Sequence, residues 1–596
     1  MDSKIRIDEI TAQILSIDDQ IQSLSAQKRV LLHEKSVLRD EILSQANEPT
    51  EEWEKDTFSW FRSLQKGLED LFGFKEFRSK QLPAMNALLS GKDLLLVLPT
   101  SGGKSLTYQL PALAAFDKGF ALVVSPLISL MEDQVHALKA LNLNAALLNS
   151  FTPKDQVDSI HKNMTCDKST LRLIYVTPER LKKSKRFLNK LQKAHTLGLF
   201  NFLAIDEVHC CSSWGHDFRP DYKFLGIMKE TFPGVPIMGL TATLTGSVLK
   251  DVREMLNIPD CVVFKASLDR PNIHYRVMLK PSSTDTDILY KLITKDFKNQ
   301  CGIVYVLTIK QAETLWKELR SHGEVAVGIY HGSMETQTRT SMHEKWSKGK
   351  IKIVIATTAF GMGIDKSNVR FVIHYNLPKS VDNFYQESGR AGRDGSLSYS
   401  IVLFNFDDIF KSSVMAFTEK SGINNLYRIV EYCISTTKCR RTFLSNYFGN
   451  NWGGEVRCDK MCDHCDKSLL SVEMDISTVS TEILNVLKRG EEEDVNITAC
   501  KLLDALMGKG GGSKSVSRSK KLPTPWNRLN TSLVVAKLLF DGIIKEHFHF
   551  TPYSTISYLR IDRGSFLNVD NYSKLSILSS SKRSSKTIDD DDVIIL

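Results

Sequence analysis

The sequence predicts an α/β fold of two parallel-sheet domains in tandem, followed by a cysteine-bearing helical segment and a small module of helices and a hairpin. Three observations predict it. Apolar runs of strand length recur in two successive series, each run separated from the next by a helix-like stretch. A Gly-Gly-Lys-Ser turn closes the first run of the first series, and an acidic pair closes a later one. Four cysteines set apart by their spacing follow the second series. A chain of 596 residues exceeds one hydrophobic core and should divide into about three to five domains.

Composition narrows the classes. An apolar content of 42% with 25% charged residues is that of an ordinary soluble globular protein. Apolar runs such as "ALVVSPLISLM" are too short to span a bilayer, and "MDSKIRIDEI" lacks a signal-peptide core. We therefore expect an intracellular chain with no membrane partner. A net charge of +9 permits nucleic-acid binding without establishing it. Eleven cysteines, an odd number, in a reducing compartment favour a metal site over disulfides.

Residues 1–45 read as one helix. Ile10, Ile14, Ile17, Ile21, Leu24, Lys28, Leu31, Lys35, Leu38 and Ile42 step by four and three, a heptad seam. A coiled coil joining protomers into a homo-oligomer is expected; a helix laid on its own chain is the alternative. Residues 46–56 are a polar linker. Residues 57–278 carry the runs "DLLLVLP", "FALVVSP", "LRLIYVTP", "NFLAID" and "PIMGLTAT", which read as buried parallel strands of a first α/β domain. Residues 279–418 repeat the pattern with "GIVYVL", "VAVGIYH", "IKIVIATT", "VRFVIHY" and "YSIVLF". Residues 419–468 are helical, then cysteine-bearing. Residues 469–567 read as helices ending in a hairpin, and residues 568–596 as a disordered Ser-rich and acidic tail.

The turn around Gly103-Lys104-Ser105 joins a strand to a helix start. Backbone N–H groups in such a turn cradle phosphates, Lys104 would reach the β/γ-phosphates of ATP, and Ser105 would ligate Mg²⁺. Leu98 stands where the full phosphate-loop pattern has its first glycine, so an ordinary strand-to-helix turn is the competing reading. The strand "FLAIDEVH" then delivers Asp206 and Glu207 at its C-terminal end. Asp206 suits a Mg²⁺ contact and Glu207 suits polarising the attacking water. An acidic pair there can also be a helix cap, but its coupling to Lys104 favours the catalytic reading. Directly after it, Trp214, His216, Phe218 and Arg219 crowd one loop, suited to stacking on bases and contacting backbone phosphate, or to an interdomain core.

The motifs "FGFKEFRSKQ", "PTSGGKS", "SPLISLMEDQ", "DEVHCCSSWGHDFRP", "TAT", "ATTAFGMGIDK" and "YQESGRAGRD" occur in this order. From about residue 72 to 558 the chain resembles the RecQ family of superfamily 2 helicases, and is most similar to the short eukaryotic RecQL type. The resemblance implies two RecA-like domains, a zinc-binding subdomain and a winged-helix domain, with no residues left for an HRDC domain. It implies ATP-dependent 3′-to-5′ unwinding of single-stranded and forked DNA, and a nuclear role in DNA repair or recombination. In the phosphate loop it implies that Thr100, Ser101, Gly102, Gly103, Lys104 and Ser105 hold nucleotide. Gln81 would read the adenine edge, with Phe77 and Arg78 in the same motif. Arg390 and Arg393 would face the γ-phosphate, Arg393 as arginine finger, while Gln386 and Asp365 couple nucleotide to DNA. Trp214, Phe218 and Arg219 would link DNA binding to hydrolysis. Ser101 and Ser213 depart from the family's glycine and glutamine. If Ser101 weakens the engine, the alternative is a DNA-binding remodeller or strand-annealing scaffold with weak ATPase.

Cys458, Cys462 and Cys465 with the distant Cys439 fit a closed four-thiolate Zn²⁺ site, although His464 lies inside the run and could substitute. The resemblance favours the four cysteines; Cys433 reads as a packed helix residue. "HFHFTPYSTISYLRI" alternates about Thr551-Pro552-Tyr553-Ser554 as a β-hairpin. By the resemblance Tyr553 would be the pin that parts the duplex; an edge-strand tyrosine is the alternative. "GKGGGSKSVSRSKK" is a basic loop or a solvated linker. The ending "TIDDDDVIIL" resembles a SUMO-interacting motif, against a disordered tail with chance apolar residues, and "SKRSSK" is a weak nuclear signal.

Overall fold

The computed structural model describes residues 51–100, 102–212, 218–280, 286–323, 325–361, 364, 366–419, 421–435, 438–449, 458–466, 469–509, 522, 526–552, 554–562 and 574–580. The heptad seam, residues 510–521 of the basic loop, the terminal acidic tail, and Ser101, Ser213, Trp214, His216, Asp365 and Tyr553 lie outside them.

The first α/β domain is a seven-stranded parallel sheet. Its strands are β1 (Leu94–Val97), β2 (Phe120–Val124), β3 (Ala145–Leu148), β4 (Leu173–Val176), β5 (Phe200–Ile205), β6 (Ile237–Thr241) and β7 (Val262–Lys265), in the order β3-β4-β2-β5-β6-β1-β7. β1, β2, β4 and β6 are buried along their whole length, as strands covered by helices on both faces must be. The second sheet contains β8 (Ile273–Leu279), β9 (Gly302–Tyr305), β10 (Val327–Tyr330), β11 (Ile353–Ala356), β12 (Phe371–His374) and β13 (Ser398–Phe404), in the order β10-β11-β9-β12-β13-β8, again all parallel.

β8 corrects the expected division after residue 278. It pairs with β13 from Ile273↔Ser398 to Leu279↔Phe404, so the crossover between domains is the segment 266–272. The expected 46–56 linker is also partly structured. Trp53 is buried, and Asn86 Nδ2 donates to Trp53 O at 3.0 Å and Lys55 O at 3.1 Å, so this stretch is docked on the first domain.

The final module packs helices Ser477–Glu492, Ala499–Leu506 and Arg528–Phe540 behind an antiparallel hairpin of β15 (Ile544–Phe550) and β16 (Thr555–Ile561). Thr498 and Asn527 cap two of these helices through their side-chain oxygens. A second pair, β14 (Leu469–Asp475) with β17 (Lys574–Ser580), is antiparallel. β17 lies in the stretch expected to be disordered. The backbone groups on one edge of it pair with β14, a strand more than a hundred residues away, so Ser-rich composition alone was a poor guide there.

Candidate functional site

The chemistry collects at the C-terminal ends of the strands. β1 ends in the phosphate loop, and its geometry requires two glycines. Gly103 sits at φ 80°, and a Cβ there would fall 2.3 Å from Gln81 Nε2. At Gly102 a Cβ would meet Pro99 O at 2.9 Å, while Gly102 N donates to that carbonyl. Ser105 then opens the helix Leu106–Ala114 in right-handed conformation. Gln81 is buried; its Nε2 donates to Gly103 O at 3.2 Å and Gly102 O at 3.4 Å, and its Oε1 accepts from Arg78 N at 2.8 Å. The amide nitrogen thus braces the phosphate loop while its oxygen is held by the Arg78 backbone, and an adenine edge must displace these partners. Phe77 packs half-buried beside the helix Phe61–Phe72, and Arg78 is exposed.

β5 brings the acidic pair beside the loop. Lys104 Nζ lies 3.7 Å from Glu207 Oε1, both side chains largely buried at 15% and 13% exposure. Glu207 is held at φ 48°, a left-handed conformation that a residue with a Cβ adopts only under constraint. Asp206 is pushed up to about 7 by burial and by the Glu207 charge, with Lys104 opposing. A divalent cation at Asp206 and Ser105 would relieve that penalty, so these oxygens fit Mg²⁺.

Two further residues complete this half, and neither was identified from the sequence. His209 Nδ1 lies 2.8 Å from Thr241 Oγ1 and 3.4 Å from Glu207 Oε2. The Thr241 hydroxyl donates to Thr243 O, so it accepts from His209, which fixes the proton on Nδ1. The first threonine of "TAT" is therefore wired to the acidic pair.

The second domain faces the loop with the turn after helix Val381–Ser388. A Cβ on Gly389 would lie 3.0 Å from Thr100 Cβ, so the two loops touch. Gln386 is half-buried and its Nε2 has no hydrogen-bond partner among the described residues. Arg390 is buried and donates to Gly361 O, which directs it into its own domain as a brace for the "AFGMGID" segment. Arg393 stands half-buried on the same turn. Arg270, on the crossover, spans both loops: it donates to Thr100 O at 3.3 Å, Gly389 O at 2.8 Å, Ala391 O at 2.8 Å and Gly392 O at 3.1 Å. The signal for it was weak, because its partners are carbonyls that only the fold brings together.

Of the aromatic loop, Phe218 is half-buried with Lys223 Nζ 5.2 Å from its ring centroid. Arg219 Nη1 donates to Pro126 O at 3.0 Å. Arg219 therefore ties this loop to the turn after β2, in addition to any contact with nucleic acid.

Cys439, Cys458, Cys462 and Cys465 bring their Sγ atoms within 4.8 Å of one another, with Cys458–Cys462 at 3.5 Å and Cys439–Cys462 at 3.9 Å. Tetrahedral zinc with Zn–S bonds of ~2.3 Å needs sulfur separations of roughly 3.8 Å, so the cluster fits Zn²⁺. A cation at the centre of the four sulfurs would hold them as thiolates. His464 Nδ1 instead faces Lys438 O at 2.5 Å, and Cys433 is buried on helix Gly422–Ile434. Asp463, between the cysteines, accepts from Arg440 Nε at 2.6 Å and from Val277 N at 2.8 Å, which fastens the zinc loop to β8.

The hairpin tip is closed by Thr551 N donating to Ser554 O at 2.9 Å and Ser554 N donating to Thr551 Oγ1 at 3.0 Å.

Comparison with known proteins agrees with this geometry. The chain matches the DEAD/DEAH box helicase family over residues 78–252, the helicase conserved C-terminal domain over 284–395 and the RecQ zinc-binding family over 407–466. It is 42% identical to the ATP-dependent DNA helicase Q1 of Mus musculus, over 93% of this chain and 87% of that protein. It is likewise 42% identical to a putative ATP-dependent DNA helicase Q1 of Caenorhabditis elegans, over 92% and 87%. The ATP-dependent DNA helicase Q-like 2 of Arabidopsis thaliana is 39% identical, over 93% and 78%. With two parallel sheets meeting across a phosphate loop and a four-cysteine module fastened to the second, the chain belongs to the RecQ-type family of ATP-dependent DNA helicases.

Proposed function

We propose that this helicase moves 3′ to 5′ along one DNA strand and parts the duplex ahead of it with the hairpin, hydrolysing ATP between its two α/β domains. The observation that carries the reading is Arg270, which joins the phosphate loop and the "SGRAGRD" turn across the domain boundary. Lys104 and the loop backbone from Thr100 to Ser105 hold the phosphates, and Gln81 exchanges its loop carbonyls for the adenine edge. Ser105 and Asp206 hold Mg²⁺, which neutralises phosphate charge when bound. Glu207 orients the attacking water and takes its proton, with its carboxylate set by Lys104 and His209. Arg393 supplies charge to the γ-phosphate, while Gln386 and Asp365 report nucleotide to DNA. Trp214, Phe218 and Arg219 receive the single strand, and Tyr553 stacks at the fork. Base–aromatic stacking of ~1–3 kcal/mol is comparable to a mean DNA step of ~1.4 kcal/mol, so one ring offsets one lost stack.

Forked and single-stranded DNA are the expected partners, with a nuclear role in repair or recombination. Homo-oligomerisation through residues 1–45 and SUMO binding through the terminal residues 589–596 extend the same reading.

The test is the ATPase rate with and without single-stranded DNA, beside Lys104→Ala and a single-stranded RNA control. Strong DNA stimulation that vanishes in the variant supports the motor. Ser101, in place of the family's glycine, motivates a second reading: intact protein that binds DNA but hydrolyses ATP no faster than Lys104→Ala would make it a scaffold.

A further inference from the structure

The hairpin does not stand free on its own module. Its first strand, β15, turns Glu546 inward, where three hydroxyls from three different elements converge on one carboxylate. Ser413 Oγ, on helix Phe406–Ala416, donates at 2.5 Å; Tyr427 OH, on helix Gly422–Ile434, donates to the other oxygen at 2.8 Å; and Ser557 Oγ donates from β16. Burial raises the Glu546 carboxyl, and the three donors oppose that shift, so the group is held in an environment built for it. The same face of β15 carries Phe548 and Phe550. Both rings pack on Phe417, just past the helix end, at 4.8 Å and 5.3 Å between centroids.

These contacts form a continuous path. β13 of the second sheet feeds through Asn405, whose side chain caps the helix Phe406–Ala416, and that helix carries Ser413. From Ser413 the path crosses to Glu546, five residues before the hairpin turn begins at Thr551. The geometry points to Glu546 as the residue that sets the angle of the hairpin against the second α/β domain, so that a motor step is delivered to the duplex junction. Glu546 touches neither nucleotide nor the hairpin tip; it is a positioning residue for strand separation. The inference rests on the reading that the hairpin parts the strands.

A carboxylate can accept from all three hydroxyls at once, and charge-assisted bonds of this kind are about twice as strong as neutral ones. Alanine removes every acceptor. Glutamine keeps one acceptor oxygen and fills the same space. The experiment measures forked-duplex unwinding and single-strand-stimulated ATPase for wild type, Glu546→Ala, Glu546→Gln, Tyr427→Phe and Tyr553→Ala, with bound zinc and thermal unfolding as controls. We expect Glu546→Ala to lower unwinding about tenfold or more while ATPase stays within about twofold, with Glu546→Gln and Tyr427→Phe intermediate.

Equal unwinding in Glu546→Ala and wild type, with Tyr553→Ala defective, overturns the positioning role and leaves the hairpin reading standing. Equal unwinding in both variants overturns the hairpin reading itself. Loss of ATPase, zinc or cooperative unfolding in Glu546→Ala together with an unaffected Tyr427→Phe reduces Glu546 to a stabilising residue and also overturns the proposal.

Discussion

In the first α/β domain the groups at the strand ends hold one another. Lys104 faces Glu207, His209 bridges Glu207 to Thr241, and Gln81 braces Gly102 and Gly103. In the second domain the corresponding turn is less self-contained. The Gln386 amide has no hydrogen-bond partner among the described residues, and beside own-domain ties such as His374 Nε2 to Glu387 Oε2 at 2.8 Å the turn is also gripped from the crossover by Arg270. The two halves meet at Thr100 and Gly389, with Arg270 bonded to both loops. A contact of this kind suits a motor, because its opening and closing can be timed by what binds between the halves.

The largest effect should come from the second-domain turn. Arg393→Ala should lower DNA-stimulated kcat by ~10³-fold or more with nucleotide affinity little changed, as expected for an arginine finger. A loss smaller than about tenfold in single-turnover hydrolysis would break the comparison. Glu207→Gln should lower kcat by ~10²–10⁴-fold while ATP binding, read by a fluorescent analogue, persists. Arg270→Ala should lower kcat by about 10²-fold through misplacement of the second turn, and Arg270→Lys should not rescue it, because one ammonium cannot span carbonyls in both loops. A Km change without a kcat change would instead make Arg270 a binding residue. The smallest effect should follow Thr241→Val, which strands the buried Nδ1–H of His209 and costs about 1–3 kcal/mol in urea unfolding.

Much of this was legible in the sequence. The runs "DLLLVLP" and "IKIVIATT" announce strands because β-branched and leucine residues cluster without interruption, as strands buried on both faces require. β3 escaped notice because Ala145 and Ala146 have low strand propensity and the run is four residues long. β8 alternates buried and half-buried residues over its first four positions, so it does not open like its uninterrupted neighbours, and its true partner, β13, lies more than a hundred residues on. The phosphate loop, the acidic pair and the cysteines declare their chemistry through local spacing. Arg270, Thr241 and Glu546 do not, because each acts through groups that meet only after folding.

The crossover between the two motor domains carries one more consequence. Asp269 and Arg270 are adjacent, yet they serve different bodies. Asp269 is paired with Arg441 of the zinc module, whose Nη1 also donates to Cys458 O at 3.2 Å, while Arg270 grips both catalytic loops. A hinge normally owes its stiffness to its own few residues. Here the pivot is tied to a third body as well, since Arg441 joins Asp269 to the backbone of a zinc-site cysteine.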